Sequence, residues 1–292
     1  MDGILIINKE KGWTSHDVVA KVKGLTKEKV GHIGTLDPLA TGVLPLLLGK
    51  GTKLSKYLIE HDKIYEVELK LGKRTNTGDS EGKVIENIEV DEKILTNQNI
   101  MQTLENFLGE QIQTPPIYSA IKVKGKKLYE YARENKEVEI PKRKINILEI
   151  GLINFNIENK TIQFRVHCSK GTYIRTLCED IAKKLGTIGY MTSLRRLSVG
   201  NFNIMDAIKI SELEKNINDK EFIINRLITI EDFFENNNII EIDLETYKKF
   251  LNGVKLESEK EDGMYKIIVN ENFVGLGIVQ NAKLKRELIL ND

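Results

Sequence analysis

Strand-like and helix-like segments follow one another along this chain without regular alternation, and that order limits the folds it can adopt. The apolar, β-branched runs at residues 3–8 and 43–48 predict buried strands. Helical spacing of apolar residues marks 91–108 and 172–185, and Gly186 ends the second helix. A doubly wound sheet requires strict alternation, so we expect an α+β fold with a mixed, largely antiparallel central sheet and flanking helices.

Shorter elements follow from the same patterns. Further strands are predicted over residues 63–71, 117–124, 144–155, 161–167 and 194–202. Further short helices are predicted over residues 15–25, 52–60 and 126–135, the first of them with its N-cap among Ser15, His16 and Asp17. Residues 31–41 (GHIGTLDPLAT) are dense in Gly, Pro, Asp and Thr, which predicts a structured loop.

The sequence changes character after residues 236–238, three consecutive asparagines. Beyond them, short β-type runs at 263–269 and 272–279 are separated by Gly and Asn, which predicts a small β-rich module. The 292 residues are therefore expected to divide into a larger domain, 1–235, and a C-terminal module, 236–292.

Composition excludes several classes of protein. Hydrophobic residues make up 40% and charged residues 30%, which supports a packed core rather than disorder. Cys168 and Cys178 are too few for a disulfide framework. The N-terminus lacks the pattern of a secretory signal, and no apolar run approaches the ~20 residues that span a bilayer. We expect a soluble, cytoplasmic protein without a membrane partner.

Charge is balanced overall but divided locally. Lys and Arg total 44 against 43 Asp and Glu, so the total gives no reason to expect a polyanionic partner. Residues 121–144 carry nine Lys or Arg and four Glu, a net charge of +5. Such a block either contacts phosphates or forms a solvated helix face. Residues 231–263 carry ten acidic residues and four lysines, and are expected to form a solvated linker.

Metal and nucleotide motifs are absent from the sequence. The four histidines are scattered, and the two cysteines lie ten residues apart without CxxC or HxxxH spacing. Residues 31–34 and 275–277 resemble glycine-rich phosphate loops only in part. We therefore expect neither a metal nor a cofactor.

The loop at 31–41 contains a candidate catalytic carboxylate. Pro38 fixes its own φ angle and biases Asp37 toward an extended backbone, which would hold the carboxylate in one orientation. A rigid loop beside a buried strand can also shield that group from water. The alternative is that Asp37 is a turn residue bonded to its own backbone, as many aspartates are.

Two other residues are candidates on weaker local signals. Arg175 is expected on the first turn of the helix capped by Thr172, where the helix dipole disfavours a cation and a carboxylate partner would help. A surface arginine is the alternative. Tyr65 shares a strand face with Val67 and Leu69, so core packing is its default role, and base stacking needs an independent argument.

Five separated segments closely resemble motifs of the TruB family, the bacterial tRNA pseudouridine-55 synthases. The segments are GHIGTLDPLATGVLPLLLG, KIYEVELKLGKRTNTGDSEG, QTPPIYSAIKVKGKKLYEYAR, CSKGTYIRTLCEDIAKKLG and SLRRLSVG. The opening NKEKGWTSHDVV is similar to the family's first motif, and the resemblance covers residues 3–202. Weaker similarity to the family continues as far as the C-terminus, which implies a small PUA-type RNA-binding module there.

The resemblance implies a catalytic set at three matching positions. Asp37 would be the single catalytic aspartate, Arg175 its partner, and Tyr65 the ring that stacks on the target base. Burial disfavours the charge that a nucleophilic aspartate needs, and we expect Arg175 to favour the carboxylate and lower the pKa of Asp37.

The resemblance also implies contacts to the substrate. His32 would help hold the flipped-out RNA loop, Tyr173 and Leu194 would line the base pocket, and Lys9 would support the active-site loop. Residues 113–142 would form an insertion that clamps the tRNA arm. Phosphate contacts are expected from the basic residues of this region, namely Lys122, Lys124, Lys126, Lys127 and Arg143.

The implied reaction isomerises uridine 55 in the T-loop of tRNA to pseudouridine, without metal or cofactor, in a monomer that binds the T-arm. Two alternatives share parts of this pattern. One is a guide-RNA-dependent rRNA pseudouridine synthase subunit, which has the same catalytic motifs. The other is an RNA-binding protein that acts chiefly by folding tRNA.

Overall fold

The computed structural model describes residues 1–290 and is built around one ten-stranded sheet. Fourteen strands precede the C-terminal module: β1 Gly3–Lys9, β2 Val30–His32, β3 Thr41–Leu48, β4 Lys63–Leu71, β5 Lys73–Thr75, β6 Val84–Asn87, β7 Gly109–Gln113, β8 Lys122–Val123, β9 Lys126–Lys127, β10 Arg143–Asn156, β11 Thr161–Cys168, β12 Gly189–Val199, β13 Phe202–Asn203 and β14 Leu227–Thr229. The central order is β14-β1-β3-β12-β4-β11-β10-β7, with β2 and β13 paired at the side.

All pairs in this sheet are antiparallel except β3 with β12, which is parallel. The predicted mixed, largely antiparallel sheet is therefore confirmed. The parallel pair brings two strands unusually close, because a Cβ atom at Gly42 would lie 2.1 Å from the Arg196 carbonyl oxygen. Only glycine fits there, and its φ of +102° is also a conformation that side chains disfavour.

Helices flank the sheet, as the sequence predicts. They are α1 Ser15–Thr26, α2 Ser55–Leu58, α3 Asn97–Glu105, α4 Leu128–Arg133, α5 Ile174–Lys184, α6 Ile210–Asn216, α7 Lys220–Ile224 and α8 Ile230–Phe233. Helices α3 and α5 pack on one face through Leu104, Leu177 and Ile181, which share a buried cluster with Val67 and Phe164. In β4 every second residue is buried, so this strand presents one face to the helices.

The C-terminal module has its own five-stranded sheet and helix. These elements are β15 Ile239–Glu241, α9 Leu244–Leu251, β16 Leu256–Glu257, β17 Gly263–Val269, β18 Asn272–Gln280 and β19 Lys283–Ile289. Leu276 and Leu288 of this sheet lie in one apolar cluster with Ile4 and Val43 of the central sheet. The module is thus packed against the larger sheet through a shared apolar contact.

Several predicted boundaries are wrong for identifiable reasons. Helix α1 is capped by Thr14, not within Ser15–Asp17, because Thr14 and Asp17 form a reciprocal capping box. Helix α5 begins after Tyr173 rather than Thr172, whose hydroxyl donates to the Ser169 carbonyl instead. The N-cap of α1 thus lies one to three residues before the predicted positions, and α5 starts two residues after its predicted start at residue 172.

Other predicted elements are shortened or moved. The strand predicted over 117–124 is limited to Lys122–Val123, because the segment turns back at Gly125 into a two-residue hairpin. The strand predicted over 194–202 runs over Gly189–Val199 instead. The acidic region 231–263 is not a linker, since β15, α9 and β16 and most of α8 lie within it. Between residues 1 and 290, no helix is both long enough and apolar enough to span a bilayer.

Candidate active site

The loop between β2 and β3 is held on both sides of Asp37. Before it, the Ser15 hydroxyl accepts from the Leu36 amide at 2.9 Å and donates to the Leu36 carbonyl at 3.1 Å. After it, the Pro38 carbonyl accepts from the Gly12 amide at 2.8 Å. The Asp37 carbonyl closes a turn with the Ala40 amide at 3.0 Å, so the backbone forms a turn while the carboxylate is free to face the cleft.

Lys9 supports this loop from beneath. Its side chain is fully buried, and Nζ donates to the carbonyls of Trp13 at 2.6 Å, Glu10 at 3.0 Å and Pro38 at 3.3 Å. Burial lowers the pKa of Lys9 to about 8, although the nearby Asp37 charge acts in the opposite direction. Lys9 does not line the cleft, so its contacts are those of a residue that positions the loop.

Arg175 is buried and not a surface residue. It is the second residue of α5, and its Nε lies 3.1 Å from Asp37 Oδ2. Its other two nitrogens donate at 3.0 Å to the carbonyls of Thr77 and Tyr118. The guanidinium therefore joins three loops and presents one face to the Asp37 carboxylate.

A second carboxylate, which the sequence reasoning missed, also approaches Arg175. Asp79 is buried, and its Oδ2 lies 3.7 Å from Arg175 Nη1. Its Oδ1 accepts from the Thr77 hydroxyl at 2.6 Å and from the Glu81 amide at 3.1 Å. In the sequence, Asp79 stands in a glycine-rich turn, where aspartate has an ordinary local role, so only the tertiary contact reveals it.

The effect of Arg175 on Asp37 has the predicted sign, but it does not set the net direction of the pKa shift. Burial raises the pKa of Asp37, and the Asp79 charge raises it further, while Arg175 and Lys9 lower it. The net result is a raised pKa, because burial together with the charge of Asp79 outweighs the opposing charges of Arg175 and Lys9. Arg175 still acts in the expected sense, but it offsets burial only in part.

Asp37, Tyr65, Arg175, Tyr173 and Leu194 line one cleft of about 910 Å³. The separate segments of the sequence thus meet at one site, although Asp37 and Arg175 lie 138 positions apart in the chain. Burial raises the pKa of the Tyr65 phenol. The backbone of Tyr173 is fixed by the side-chain amide of Gln113, which accepts at 2.8 Å and donates at 3.0 Å.

Arg196 is the second functional candidate that sequence reasoning did not single out. It lines the cleft, is only 1% exposed, and lies opposite Tyr65 across the β4–β12 pair. Its guanidinium donates to the carbonyls of Gly34 and Val43, each at 2.7 Å. The SLRRLSVG segment contained a signal, since strand alternation points one of its two adjacent arginines inward.

The charged lining of the cleft is mostly basic. Within residues 1–290, Asp37 is the only carboxylate among the residues that line it. The cationic side chains that line it number six, namely Lys63, Arg143, Lys144, Lys170, Arg175 and Arg196. Such a basic surface favours the binding of a polyanion in the cleft, close to the Asp37 carboxylate.

The remaining predicted residues lie outside the cleft lining. His32 is beside the loop, with Nε2 3.2 Å from the Thr35 hydroxyl and its ring 5.4 Å from that of His16. Lys122 and Lys124 are exposed on the small hairpin. Lys126 pairs with Glu134, and the Lys127 ammonium lies 5.4 Å from the centre of the Tyr129 ring.

The hairpin is nevertheless joined to the cleft wall. Tyr129 lines the cleft, and its amide donates to the Ser119 carbonyl at 3.1 Å. In the described part of the chain, no three His, Cys, Asp or Glu side chains gather in a way that could hold a metal ion.

Two family models match this chain. The N-terminal domain of TruB family pseudouridylate synthases matches residues 22–174, and the C-terminal domain of tRNA pseudouridylate synthase B matches residues 175–234. The chain belongs to the TruB family. The resemblance expected from the five motifs is therefore confirmed, and with it membership in a family of pseudouridine synthases.

Curated TruB relatives match over nearly the full length. The protein named tRNA pseudouridine synthase B of Clostridium kluyveri is 44% identical, with 98% of both chains covered. The protein of the same name from Clostridium acetobutylicum is 43% identical, again over 98% of both chains. The similarity therefore includes the C-terminal module as well as the site.

Solved structures confirm the pseudouridine synthase fold expected for a TruB protein. An H/ACA RNP bound to a substrate RNA containing 2′-deoxyuridine matches with a TM-score of 0.70 and 22% identity, covering 99% of this chain and 85% of that one. A Cbf5-Nop10-Gar1 complex matches with a TM-score of 0.70 and 24% identity, covering 99% and 84%. At these identities the likeness concerns the fold alone.

Proposed function

We propose that this chain isomerises uridine 55 in the T-loop of tRNA to pseudouridine. The observation that carries the proposal is the Asp37 carboxylate, which Arg175 holds beside Tyr65 in the cleft. Within residues 1–290 it is the only carboxylate that lines the cleft, and the other charged lining groups are cations. Full-length relatives named tRNA pseudouridine synthase B support tRNA as the substrate.

The geometry supports action on a flipped nucleotide. A stacked base hides the glycosidic bond, so the uridine must leave its stack at a cost of a few kcal/mol. The cleft has room for a nucleoside, at about 910 Å³. Stacking on an aromatic ring returns roughly 1–3 kcal/mol per base, and the rings of Tyr65 and Tyr173 both line this space.

The chemistry then takes place on the nucleoside itself. The bond between N1 and C1′ breaks, the base rotates, and C5 forms a bond to the same C1′ carbon. The Asp37 carboxylate acts directly on the nucleoside, and Arg175 opposes the rise in the pKa of Asp37 that burial causes. Lys9 and Ser15 keep the loop in place, so the carboxylate need not be ordered during the reaction.

Basic residues position the RNA arm. Arg143, Lys144 and Lys170 line the cleft, and Lys122 and Lys124 extend from it on the exposed hairpin. Contacts from these residues to phosphates would set the register of the arm without reading its sequence. Recognition would then depend mainly on the folded shape of the T-arm and its splayed bases.

We further infer the role of each part of the chain. Residues 1–235 would form the catalytic domain, with residues 113–142 as the RNA-clamping insertion. Residues 236–292 would form a PUA-like RNA-binding module, which its separate five-stranded sheet supports. The enzyme would act as a monomer in the cytoplasm, where its tRNA substrate is found.

A stand-alone enzyme is better supported than the alternatives. Relatives that share 43–44% identity over 98% of the chain are named as tRNA enzymes. The H/ACA RNP and Cbf5-Nop10-Gar1 structures share only 22–24% identity with the chain. A protein that only folds RNA does not need a half-buried carboxylate whose pKa is raised by its surroundings in a cleft.

The test is turnover on a bare T-arm stem-loop by the purified protein. Pseudouridine would be mapped by chemical labelling, with a stem-loop carrying cytidine at the target position as the control. We expect conversion at the target uridine and nowhere else in the arm. Conversion only after addition of a guide RNA, or none on either T-arm or whole tRNA, would contradict the proposal.

A further inference from the structure

Arg196 is a buried cation in the cleft wall that no carboxylate neutralises. Its side chain is only 1% exposed, and among residues 1–290 no carboxylate lies within ion-pair distance of it. Burial lowers the pKa of the guanidinium, but an arginine keeps its proton in proteins. Arg175, the other buried arginine of the cleft, differs because Asp37 and Asp79 both approach it. A buried charge without a counter-charge is costly, so the charge of Arg196 calls for a role.

Two hydrogen bonds fix the guanidinium in one position. Nε donates to the Val43 carbonyl on β3, and Nη2 donates to the Gly34 carbonyl in the loop that carries Asp37, each at 2.7 Å. The loop lies close to it, because a Cβ atom at Gly34 would be 3.2 Å from Nη1. The charge is therefore in place before a substrate arrives, and it does not have to be reoriented during a reaction.

The groups around Arg196 leave its charge uncompensated. The two carbonyls satisfy N–H groups but carry no net charge. Burial raises the pKa of the Tyr65 phenol, which therefore keeps its proton at neutral pH. Lys9, His32 and Lys63 are bases, and their pKa values are lowered by burial and lowered further by the charge of Arg196. The positive charge of Arg196 thus reaches the side chains around it and meets no anion among them.

The proposed reaction creates an anion inside the cleft. When the N1–C1′ bond breaks, its electron pair stays on uracil, whose negative charge spreads over N1, O2, O4 and C5, and C1′ is left electron-poor. When C5 donates a pair to C1′, the base becomes neutral again. Loss of the C5 proton and gain of a proton at N1 complete the product. The negative charge on the base therefore exists only between the two bonds, and neither uridine nor pseudouridine carries it.

We propose that the buried charge of Arg196 stabilises the uracil anion between the breaking of the N1–C1′ bond and the formation of the C5–C1′ bond. The inference rests on the proposed function and deepens it. A fixed cation in a poorly solvated wall attracts such an anion more strongly than water does. Because this attraction is absent in the ground state, it lowers the barrier instead of tightening the binding of the substrate.

The test varies the stability of the departing base. One T-arm stem-loop carries uridine at the target position and the other carries 5-fluorouridine, whose base forms an anion more readily because fluorine withdraws electrons. Consumption of the target nucleoside is measured in a single turnover at saturating RNA. The enzymes are the wild type, Arg196→Gln, Arg196→Lys and the control Arg195→Gln, which changes the neighbouring arginine on the exposed face of β12. RNA affinity and melting temperature are measured for each.

We expect Arg196→Gln to slow the reaction of uridine by roughly 10²–10³-fold, the usual loss when one preorganised oxyanion donor is removed. The 5-fluorouridine substrate should be slowed several-fold less, because its base needs less help to carry the charge. Arg196→Lys keeps the charge and should retain most of the rate, with the same ratio between the two substrates as the wild type. RNA affinity should not change in either variant, and Arg195→Gln should behave as wild type.

A role confined to holding the loop predicts a different pattern. The lysine and glutamine variants would then displace Gly34 alike and slow both substrates by one common factor, and that result would overturn the inference. If Arg196→Gln does not fold, Arg196→Met, which is also neutral, gives the same comparison with the same two outcomes. A wild type that consumes neither substrate contradicts the proposed function itself. An active wild type with an equally active Arg196→Gln variant contradicts only this inference.

Discussion

At the scale of single residues, the site depends on two carboxylates that compete for one guanidinium. Arg175 contacts Asp37 at 3.1 Å and Asp79 at 3.7 Å, and the Asp79 charge helps to raise the pKa of Asp37. The meeting of Asp37 and Tyr65 in one cleft could be predicted, because each residue stands in a recognisable segment. Asp79 and Arg196 could not be assigned a role, because their importance comes from contacts between strands and loops that are distant in sequence.

The Asp79→Asn variant tests this competition through the pH dependence of the reaction rate. Removal of the neighbouring charge should lower the pKa of Asp37, so Asp37 would ionise at a lower pH. The rate rises with pH as Asp37 ionises, and this rising limb should move toward lower pH in the variant. Single-turnover rates from pH 5 to 8 measure the shift. Glu66→Gln, away from the cleft lining, is the control, and an unmoved limb in Asp79→Asn would contradict the account.

At the scale of elements, the candidate active site is made by segments that meet at the start of α5. The Arg175 side chain connects the Asp37 loop, the turn after β5 and the segment before β8. Alternation in β4 correctly predicted which face of the strand is buried, since it is a local property. The start of α5 was predicted two residues early, because Thr172 bonds the preceding Ser169 rather than the helix.

Arg175→Ala should destabilise the fold as well as abolish turnover. Its loss leaves Asp37 and Asp79 without a buried partner, which typically costs about 3–5 kcal/mol. Without the guanidinium the pKa of Asp37 should rise further, so protonation at low pH should relieve part of the penalty. Urea unfolding at pH 7.5 and pH 5.5 measures this, and a loss below about 1 kcal/mol at both values would contradict the buried ion pair.

The β8–β9 hairpin is the element to test for phosphate contacts. Lys126 already pairs with Glu134, whereas Lys122 and Lys124 are exposed. We therefore expect Lys122→Ala/Lys124→Ala to weaken tRNA binding and to reduce the salt slope by about 1–2, since each lost phosphate contact changes it by roughly 0.7–0.9. Affinity measured from 50 to 300 mM salt tests this. An unchanged slope would restore the solvated-face interpretation.

At the scale of the whole molecule, the C-terminal module is packed against the large sheet. Leu276 and Leu288 share an apolar cluster with Ile4 and Val43, and Glu287 accepts from the Tyr57 hydroxyl at 2.9 Å. The change in residue pattern near position 236 indicated a separate β-rich unit. Its acidic run was misread as a linker, because charge pattern alone does not distinguish a solvated linker from the exposed faces of short helices and strands.

Leu288→Ala should weaken this packing. Loss of a buried leucine side chain typically costs about 2–5 kcal/mol, and here the lost contacts lie in the cluster that joins the two sheets. We expect urea unfolding to lose cooperativity, with the module unfolding first. Val279→Ala, inside the module's own cluster, is the matched control and should destabilise the module without affecting the contact to the large sheet. Identical unfolding curves for the two variants would contradict this view.

The most direct test of the central claim is Asp37→Asn, assayed in a single turnover on the T-arm stem-loop alongside its affinity for tRNA. Asparagine keeps the size of the side chain and can still contact Arg175, but it lacks the carboxylate. The account predicts that tRNA binds with unchanged affinity and no pseudouridine forms. Pseudouridine formed by Asp37→Asn at a rate close to that of the wild type would contradict it.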